Sequence, residues 1–385
     1  MPSHFLISDA HIGTTMWQHA LLTHLGLRVT SATLSKRGHY APDGLLHPAP
    51  WVRHLSWWPR RLIGARLKSD PVLHDITHAL CSFPPARCEA LLRLPEHVQV
   101  WVNLGHRFHI HVRGWRLKAW TEQVRRLMQD PRMVWASMSH YDAQYTRFYT
   151  GMAPPHALPV ASFHLPRALR ERDTPPSNRT VLIGPSHHQG RVPGLPDPAE
   201  LNRLSAAWAR RLGVAAYRFQ SIREAYPNGQ ATPERLSCHP AVVISPYSAF
   251  SISMIELYQL NLPMFVPVNG LLVDAMADVR LHPIYQGKRW VEGLEAEYAE
   301  RARAMGMPYS PNSPEPDAQR HWIEQMFFNQ VPHVQRFDQA KDLLNQLYAA
   351  DLSEWQHRMR SFNAEFFKQA ASTWQGLTQA PGPTA

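Results

Sequence analysis

His239-Pro240-Ala241-Val242-Val243-Ile244-Ser245-Pro246-Tyr247-Ser248-Ala249-Phe250, continued by Ser251-Ile252-Ser253-Met254-Ile255-Glu256-Leu257-Tyr258-Gln259-Leu260 and Asn261-Leu262-Pro263-Met264-Phe265-Val266-Pro267, decides the fold. The apolar run from Ala241 to Ile244 stands between turn residues and reads as a buried strand. A serine-rich loop follows, the spacing from Ser251 to Leu260 predicts a helix, and Leu262 to Pro267 returns to strand. Two strands joined through a helix pair in parallel, because a parallel pair needs a crossover connection. This is a unit of an α/β sheet.

Working outward, the same alternation recurs. Towards the amino end, Thr180-Val181-Leu182-Ile183-Gly184 reads as a strand, Pro198 to Leu212 as a helix closed by Gly213, and Val214 to Phe219 as a strand. Prolines cluster with Arg and Ser between Pro154 and Pro176, the composition of a linker. Before it, His4 to Ser8 predicts a strand that releases into Asp9-Ala10-His11-Ile12-Gly13. Thr14 or Thr15 then caps a helix through Leu25, and Leu27 to Leu34 gives a second strand. Residues 41–71, with Trp51, Trp57 and Trp58, show no clear period and read as a long loop with short helices. Further strands are expected at Ile76 to Cys81, Val98 to Asn103 and Met133 to Ser137. Asp338 to Ala371 reads as helical. The alternation divides the chain into an α/β domain over 1–165, a linker at 166–178, a second α/β domain over 179–350, and a C-terminal helix and tail over 351–385.

The bulk chemistry narrows the partners. With 385 residues, 44% hydrophobic and 18% charged, the chain buries two sizeable cores, which excludes wholesale disorder. The net charge of +10 favours an anionic partner (nucleic acid, a phosphorylated substrate or an acidic membrane surface), and a basic surface kept for solubility fits equally. Cys81, Cys88 and Cys238 are too few and too scattered for a disulfide framework or a cysteine zinc site, so reducing conditions fit. Met1 to Ala10 lacks the pattern of a signal peptide, and no apolar run reaches membrane-spanning length. The expected location is cytoplasmic, with a basic surface suited to peripheral membrane contact.

The run from Ile244 to Pro267 resembles the donor-site signature of nucleotide-sugar glycosyltransferases of the GT-B fold: a strand, a Gly/Ser loop, a helix carrying a Glu, a small turn, Pro and an apolar strand. Lys341 to Leu347 and Trp355 to Met359 are similar to that family's terminal helices. A weaker likeness, to glycosyltransferase-like proteins of algae and large DNA viruses, lies in Cys81 to Glu89 and Tyr141 to Gly151. The resemblance implies two Rossmann-like domains facing a cleft, acceptor side first and donor side second, with C-terminal helices crossing back. It implies metal-independent transfer of a hexosyl or pentosyl group from a nucleoside-diphosphate sugar, as co-substrate and without other cofactor, to a hydroxyl of a glycan or glycoconjugate. Many retaining members carry a second Glu eight residues before the helix Glu; that position here is Ser248, so neither that role nor retention carries over.

The residues point the same way. A helix N-terminus at Ser251 offers unpaired N–H groups and a positive dipole end to a diphosphate, with Ser251 and Ser253 as added donors and Tyr247 in the loop. Glu256 can accept hydrogen bonds from ribose hydroxyls. Gly184-Pro185-Ser186-His187-His188-Gln189-Gly190-Arg191 leaves another strand; Gly184, Ser186 and His187 approach the phosphates, and Arg191 balances charge on the departing diphosphate. In the first domain, Asp9 or His11 is the candidate base for the acceptor hydroxyl, the alternative being a loop-capping pair. His106 and Arg107, with His109 and His111, form a basic patch on the acceptor side. Asp142 is a second candidate base there, or the N-cap of the helix through Tyr149. No carboxylate accompanies the alternating histidines at metal-ligand spacing, so no metal site is expected. Two other readings stay open: a nucleotide-sugar epimerase of similar fold, and a nucleic-acid-binding protein suggested by the Trp/Arg mixture of Trp51 to Arg66, although no helix-turn-helix, zinc-finger or RNP-like pattern appears.

Overall fold

The structure, a computed structural model, describes residues 3–9, 11–33, 60–105, 107–110, 112, 116–172, 178–184, 192–227, 230–246, 248–277 and 295–379. Its strands are β1 (His4–Asp9), β2 (Arg28–Thr33), β3 (His78–Cys81), β4 (Gln99–Leu104), β5 (Met133–Ser137), β6 (His156–Ala157), β7 (Thr180–Ile183), β8 (Arg218–Ser221), β9 (Val242–Val243), β10 (Met264–Pro267) and β11 (Val334–Phe337). The helices of eight or more residues are α1 (Ile12–His24), α2 (Arg60–Ser69), α3 (Leu117–Leu127), α4 (His140–Thr150), α5 (Pro198–Leu212) and α6 (Ile252–Gln259). They continue with α7 (Asn269–Ala277), α8 (Glu295–Ala304), α9 (Pro316–Glu324), α10 (Ala340–Ala349) and α11 (Leu352–Gln379). The chain divides into two compact units. The first comprises Met1–His164, Gly287–Ser313 and Lys368–Ala385, and the second Leu165–Gln286 and Pro314–Phe367.

In the first unit the strands run β2-β1-β3-β4-β5-β6, every pair parallel. Phe5, Leu6 and Ile7 are wholly buried, as a central parallel strand covered on both faces requires. On one face Phe5 stacks on His78 (4.4 Å between centroids) and meets the edge of Trp101 (5.6 Å). Trp374, from the last turns of α11, stacks on Trp101 at 6.1 Å and meets Trp17 of α1 at 5.8 Å. Trp374 is 0% exposed, so truncating it to Ala should cost about 3–5 kcal/mol. Residues 295–312 are tied in through a tyrosine ladder on α4. Asn312 donates to the Tyr149 hydroxyl (2.5 Å) and the Tyr145 hydroxyl (3.4 Å), and Tyr298 of α8 packs against Tyr149.

The second unit has the order β11-β10-β9-β7-β8, again all parallel. Counted from its own first strand, this is the same winding, 2-1-3-4-5, as the first five strands of the other sheet. Asn261, in the left-handed region at φ 60, ends the helix that began at Ile252, a conformation Asn tolerates better than most residues. Its amide donates to Arg170 O, and Asn363 of α11 donates to Asn261 Oδ1 (2.7 Å) and Tyr258 O (3.0 Å). The α/β class with two parallel sheets is as expected, and α11 contributes Leu352 to Phe367 to the second unit and Lys368 onward to the first.

Four expectations need correction. The strand expected from Val214 begins only at Arg218, because the Arg179 guanidinium takes Ala215 O (2.6 Å) and Ala216 O (3.4 Å) and lies over the Tyr217 ring, so a side chain replaces the ladder. Neither Thr14 nor Thr15 caps the first helix. His11 does, accepting from Gly13 N, while both threonine hydroxyls donate back to His11 O. Cys81 and Cys88 are bonded: the chain leaves β3 and turns into a short helix at Pro85–Cys88, which returns the second sulfur to the strand end with 5.5 Å between Cα atoms. The tail is not one helix from Asp338 but a break at Ala350 and Asp351 between α10 and α11, preceded by the edge strand β11, whose Val334-Gln335-Arg336-Phe337 is too polar to announce itself. Trp51, Trp57 and Trp58 lie outside the described residues. Among the described residues no helix is long and apolar enough to cross a membrane.

Candidate functional site

In an open parallel sheet wound 2-1-3-4-5, the connections from the first strand and the third leave to opposite faces, and ligands bind beyond the carboxyl ends at that switch point. The two switch points are β1/β3 in the first unit and β7/β9 in the second. Most of the described candidate residues lie at one or the other.

At β1/β3, Asp9 is the last residue of its strand and is 3% exposed. Its Oδ1 accepts from His11 N (3.0 Å), and its Oδ2 accepts from Ser82 N (2.9 Å) and Phe83 N (3.2 Å). Burial pushes the carboxyl up to about 6, while those hydrogen bonds pull the other way. Asp9 therefore fastens two strand-exit loops together. His11, two residues later in the same loop, is exposed, and its ring lies edge-on to Phe83 at 6.2 Å. Its Nδ1 accepts from Gly13 N at 3.2 Å, which in the neutral ring leaves the proton on Nε2.

The register carries the polar row further. Ile7 pairs with Leu80 and Cys81 with Val102, so Asp9, Ser82 and Asn103 follow at the same level on three adjacent strands. Gln18 of α1 donates to Ser82 Oγ. Gln18, Ser82 and Asn103 are fully buried, and among the described residues neither Asn103 amide atom nor Gln18 Oε1 has a hydrogen-bond partner. Sequence reasoning missed all three. A signal existed for Asn103, a lone amide ending the apolar run Val100-Trp101-Val102.

Asp142 belongs to the exit of β5. It is not the N-cap: Ser139 is, and the carboxylate sits in the first turn, accepting from Ser139 Oγ at 2.5 Å. Burial raises it to about 7 against the pull of Ser139 and Arg107. His109 is no part of a basic patch. It is 3% exposed, bonded through Nε2 to the Tyr145 hydroxyl (3.2 Å), and held down to about 3 by burial and Arg107.

At β7/β9, Gly184 follows β7 and donates to Val243 O. A Cβ there would come within 2.8 Å of Ile244 Cγ1 and 3.1 Å of Val242 Cγ2, so the close approach of the two exits requires glycine. Beyond β9, Ser248 donates to Phe250 O (2.5 Å) and bends the loop into α6. Ser251, the N-cap, makes no capping bond to the helix; its hydroxyl meets that of Ser253 at 2.9 Å. Ser253 and Glu256 are half-buried. Ser186, His187, Arg191, Tyr247 and His106 lie outside the described residues, as does His111.

A groove of about 450 Å³ beside the start of β11, lined by His333, Gln346 and Trp355 among others, contains none of the candidate residues. Among the described residues no group of three or more His, Cys, Asp or Glu could hold a metal ion.

No family model matches the chain, and no curated protein matches it. Solved structures do align with it. Arabidopsis thaliana UGT89C1 complexed with UDP-L-rhamnose is 12% identical over 98% of both chains, with a TM-score of 0.43. A UDP-glucosyltransferase from Polygonum tinctorium capable of glucosylating indoxyl is 12% identical over 97% of both, at 0.41. CalG4, the calicheamicin glycosyltransferase, is 12% identical over 99% of this chain and 100% of its own, at 0.39. These superpositions are loose, and identity at this level carries no statement about chemistry.

Proposed function

We propose that the protein transfers a sugar from a nucleoside-diphosphate sugar to an acceptor hydroxyl, its second unit holding the donor and its first activating the acceptor. The observation that carries this reading is the pair of switch points. One collects an exposed imidazole over an anchored carboxylate, and the other a glycine exit beside a serine-rich helix N-terminus.

The donor's diphosphate sits at the start of α6, where first-turn N–H groups and the half-buried Ser253 hydroxyl meet its oxygens, the buried Ser251 hydroxyl holding that of Ser253. Glu256, one turn further, takes the ribose hydroxyls. The close approach of Gly184 to Val242 and Ile244 starts the two exit loops side by side, so that one anion can lie against both. As the glycosidic bond breaks, charge grows on the leaving diphosphate, and fixed N–H dipoles stabilise it without reorganisation. We read the transfer as metal-independent because those dipoles supply a positive field where the charge develops.

On the acceptor side His11 is the base. Asp9 is too deeply buried to meet a substrate hydroxyl, so it acts as the post that sets the His11 backbone. The Gly13 bond occupies Nδ1, so the ring takes up a proton only once it turns away from that amide. Asp142 and Arg107 line the neighbouring part of the acceptor side.

The test is a panel of nucleoside diphosphates and nucleotide sugars followed by thermal unfolding, with product analysis in the presence and absence of acceptor sugars. A donor should raise the melting temperature by mass action and be consumed only when acceptor is present. Conversion of donor without acceptor would replace transfer by epimerisation. Binding of an oligonucleotide with steep salt dependence, and of no nucleotide sugar, would replace both.

A further inference from the structure

The loop that supplies two of Asp9's three backbone donors is also the loop closed by the Cys81–Cys88 bond. Ser82 and Phe83 follow the first cysteine directly, and Pro85–Cys88 forms the short helix that carries the second. A bridge over a separation of seven residues stabilises the fold through lost chain entropy of the unfolded state, less than a bridge closing a long loop. It also acts locally. It fixes the direction in which the chain leaves β3, and with it the two amides aimed at Oδ2 and the Phe83 ring that faces His11. Gln18 holds the Ser82 hydroxyl from the other side, so the Ser82 amide is clamped between the bridge and α1.

We propose that the Cys81–Cys88 bridge is a positioning device for the Asp9–His11 loop: closed, it holds the Ser82 and Phe83 amides on the Asp9 carboxylate, and opened by a dithiol it lets them go. The exchange is balanced. A thiolate of the dithiol attacks one bridge sulfur and expels the other as a thiolate that takes up a proton. The reagent's second thiol then displaces the protein sulfur, leaving two cysteine thiols and a cyclic disulfide. Both cysteines are at most 2% exposed, so attack waits on opening of the loop, and a ligand seated at His11 should slow it. The catalytic consequence rests on the transfer reading above; the anchoring does not.

The experiment uses the full chain in a Cys238→Ser background, since Cys238 is the remaining, exposed thiol. The denatured, unreduced protein should show no reactive thiol; two would overturn the proposal. Dithiothreitol should then speed hydrogen exchange at the Ser82 and Phe83 amides by about 10-fold or more, with β4 and β5 amides unchanged. In parallel kcat should fall about 10–100-fold with the donor KM unchanged. Unchanged exchange after reduction, or faster exchange with full kcat, overturns the positioning role. Cys81→Ala/Cys88→Ala should reproduce the reduced state; if it does not fold, reduced wild type carries the test. If the oxidised protein transfers no sugar at all, the transfer reading falls, and amide exchange alone decides the anchoring.

Discussion

The two switch points share a winding and differ in what holds them. At β1/β3 the fixing is done by side chains: a buried carboxylate takes three backbone amides, a glutamine holds a serine, and a disulfide closes the exit. At β7/β9 the two exits meet through the backbone, with a glycine pressed against Ile244 and Val242, and the loop beyond is shaped by local serine contacts, the N-cap serine making no capping bond. A group that must gain and lose a proton needs its neighbours placed to within a fraction of an ångström, and a carboxylate post supplies that. An anion that arrives and leaves is met by the first-turn N–H groups and positive dipole end of a helix. Under the transfer proposed above, the difference in construction would follow a difference in task.

Replacing His11 breaks the comparison most sharply. His11→Ala should lower turnover by ~10²–10⁴-fold, the usual contribution of a positioned base, with donor affinity unchanged. Full turnover in the folded variant would move the base elsewhere. Asp9 gives the next largest effect, read as stability against pH. Its folded-state carboxyl lies at about 6, above the 3.8 of the free side chain, so between those values the folded protein binds more protons than the unfolded chain. Its contribution is fully present below about 4 and is lost as pH rises through 6. Wild type should therefore lose stability relative to Asp9→Asn by roughly 3 kcal/mol between pH 4 and pH 8, at 1.36 kcal/mol per unit. Denaturant titrations of the two proteins at several pH values measure that difference, and a flat one would remove Asp9 from its buried site.

The segment proposed to hold the donor is more legible in the sequence than the row at β1/β3, for a physical reason. A strand, a serine loop and a helix are consecutive from Val242 to Gln259, so local pattern reveals them. The row Asp9, Ser82 and Asn103 is assembled by strand pairing over more than 90 positions, and only the register brings it together. Asp9 and His11 stood out as residues leaving a strand, but nothing local separated the post from the exposed ring. The cysteine pair was misread because counting cysteines says nothing about a turn that brings two neighbours within bonding distance. The strand at Arg218 came late because a distant arginine, Arg179, occupies the carbonyls before it.

On the donor side the effects are smaller. Glu256→Ala should weaken nucleotide-sugar binding by about 1.5–3 kcal/mol, the scale of hydrogen bonds to a charged group, with little change in the melting temperature of the free protein. Glu256 is half-buried, so if it binds the ribose as proposed, the loss should appear in affinity more than in folding. Equal donor affinity in the folded variant would take Glu256 out of the site.

Gly184→Ala asks whether the close approach of the two exits matters for its own sake. The added methyl would lie 2.8 Å from Ile244 Cγ1 and 3.1 Å from Val242 Cγ2, and both neighbours are wholly buried. Neither can give way without disturbing the β7/β9 pairing, so the methyl should cost about 1–2 kcal/mol of stability, as overpacking of a tight core does. No charge and no hydrogen-bonding group is removed, which makes the variant a purely geometric probe. If the exits must be close for one diphosphate to lie against both, donor affinity should fall along with stability while the pH dependence traced to Asp9 stays as in wild type. Calorimetric titration with a nucleoside diphosphate beside a denaturation curve reads both quantities. Lost stability with full donor affinity would mean that the glycine serves only the packing of the sheet.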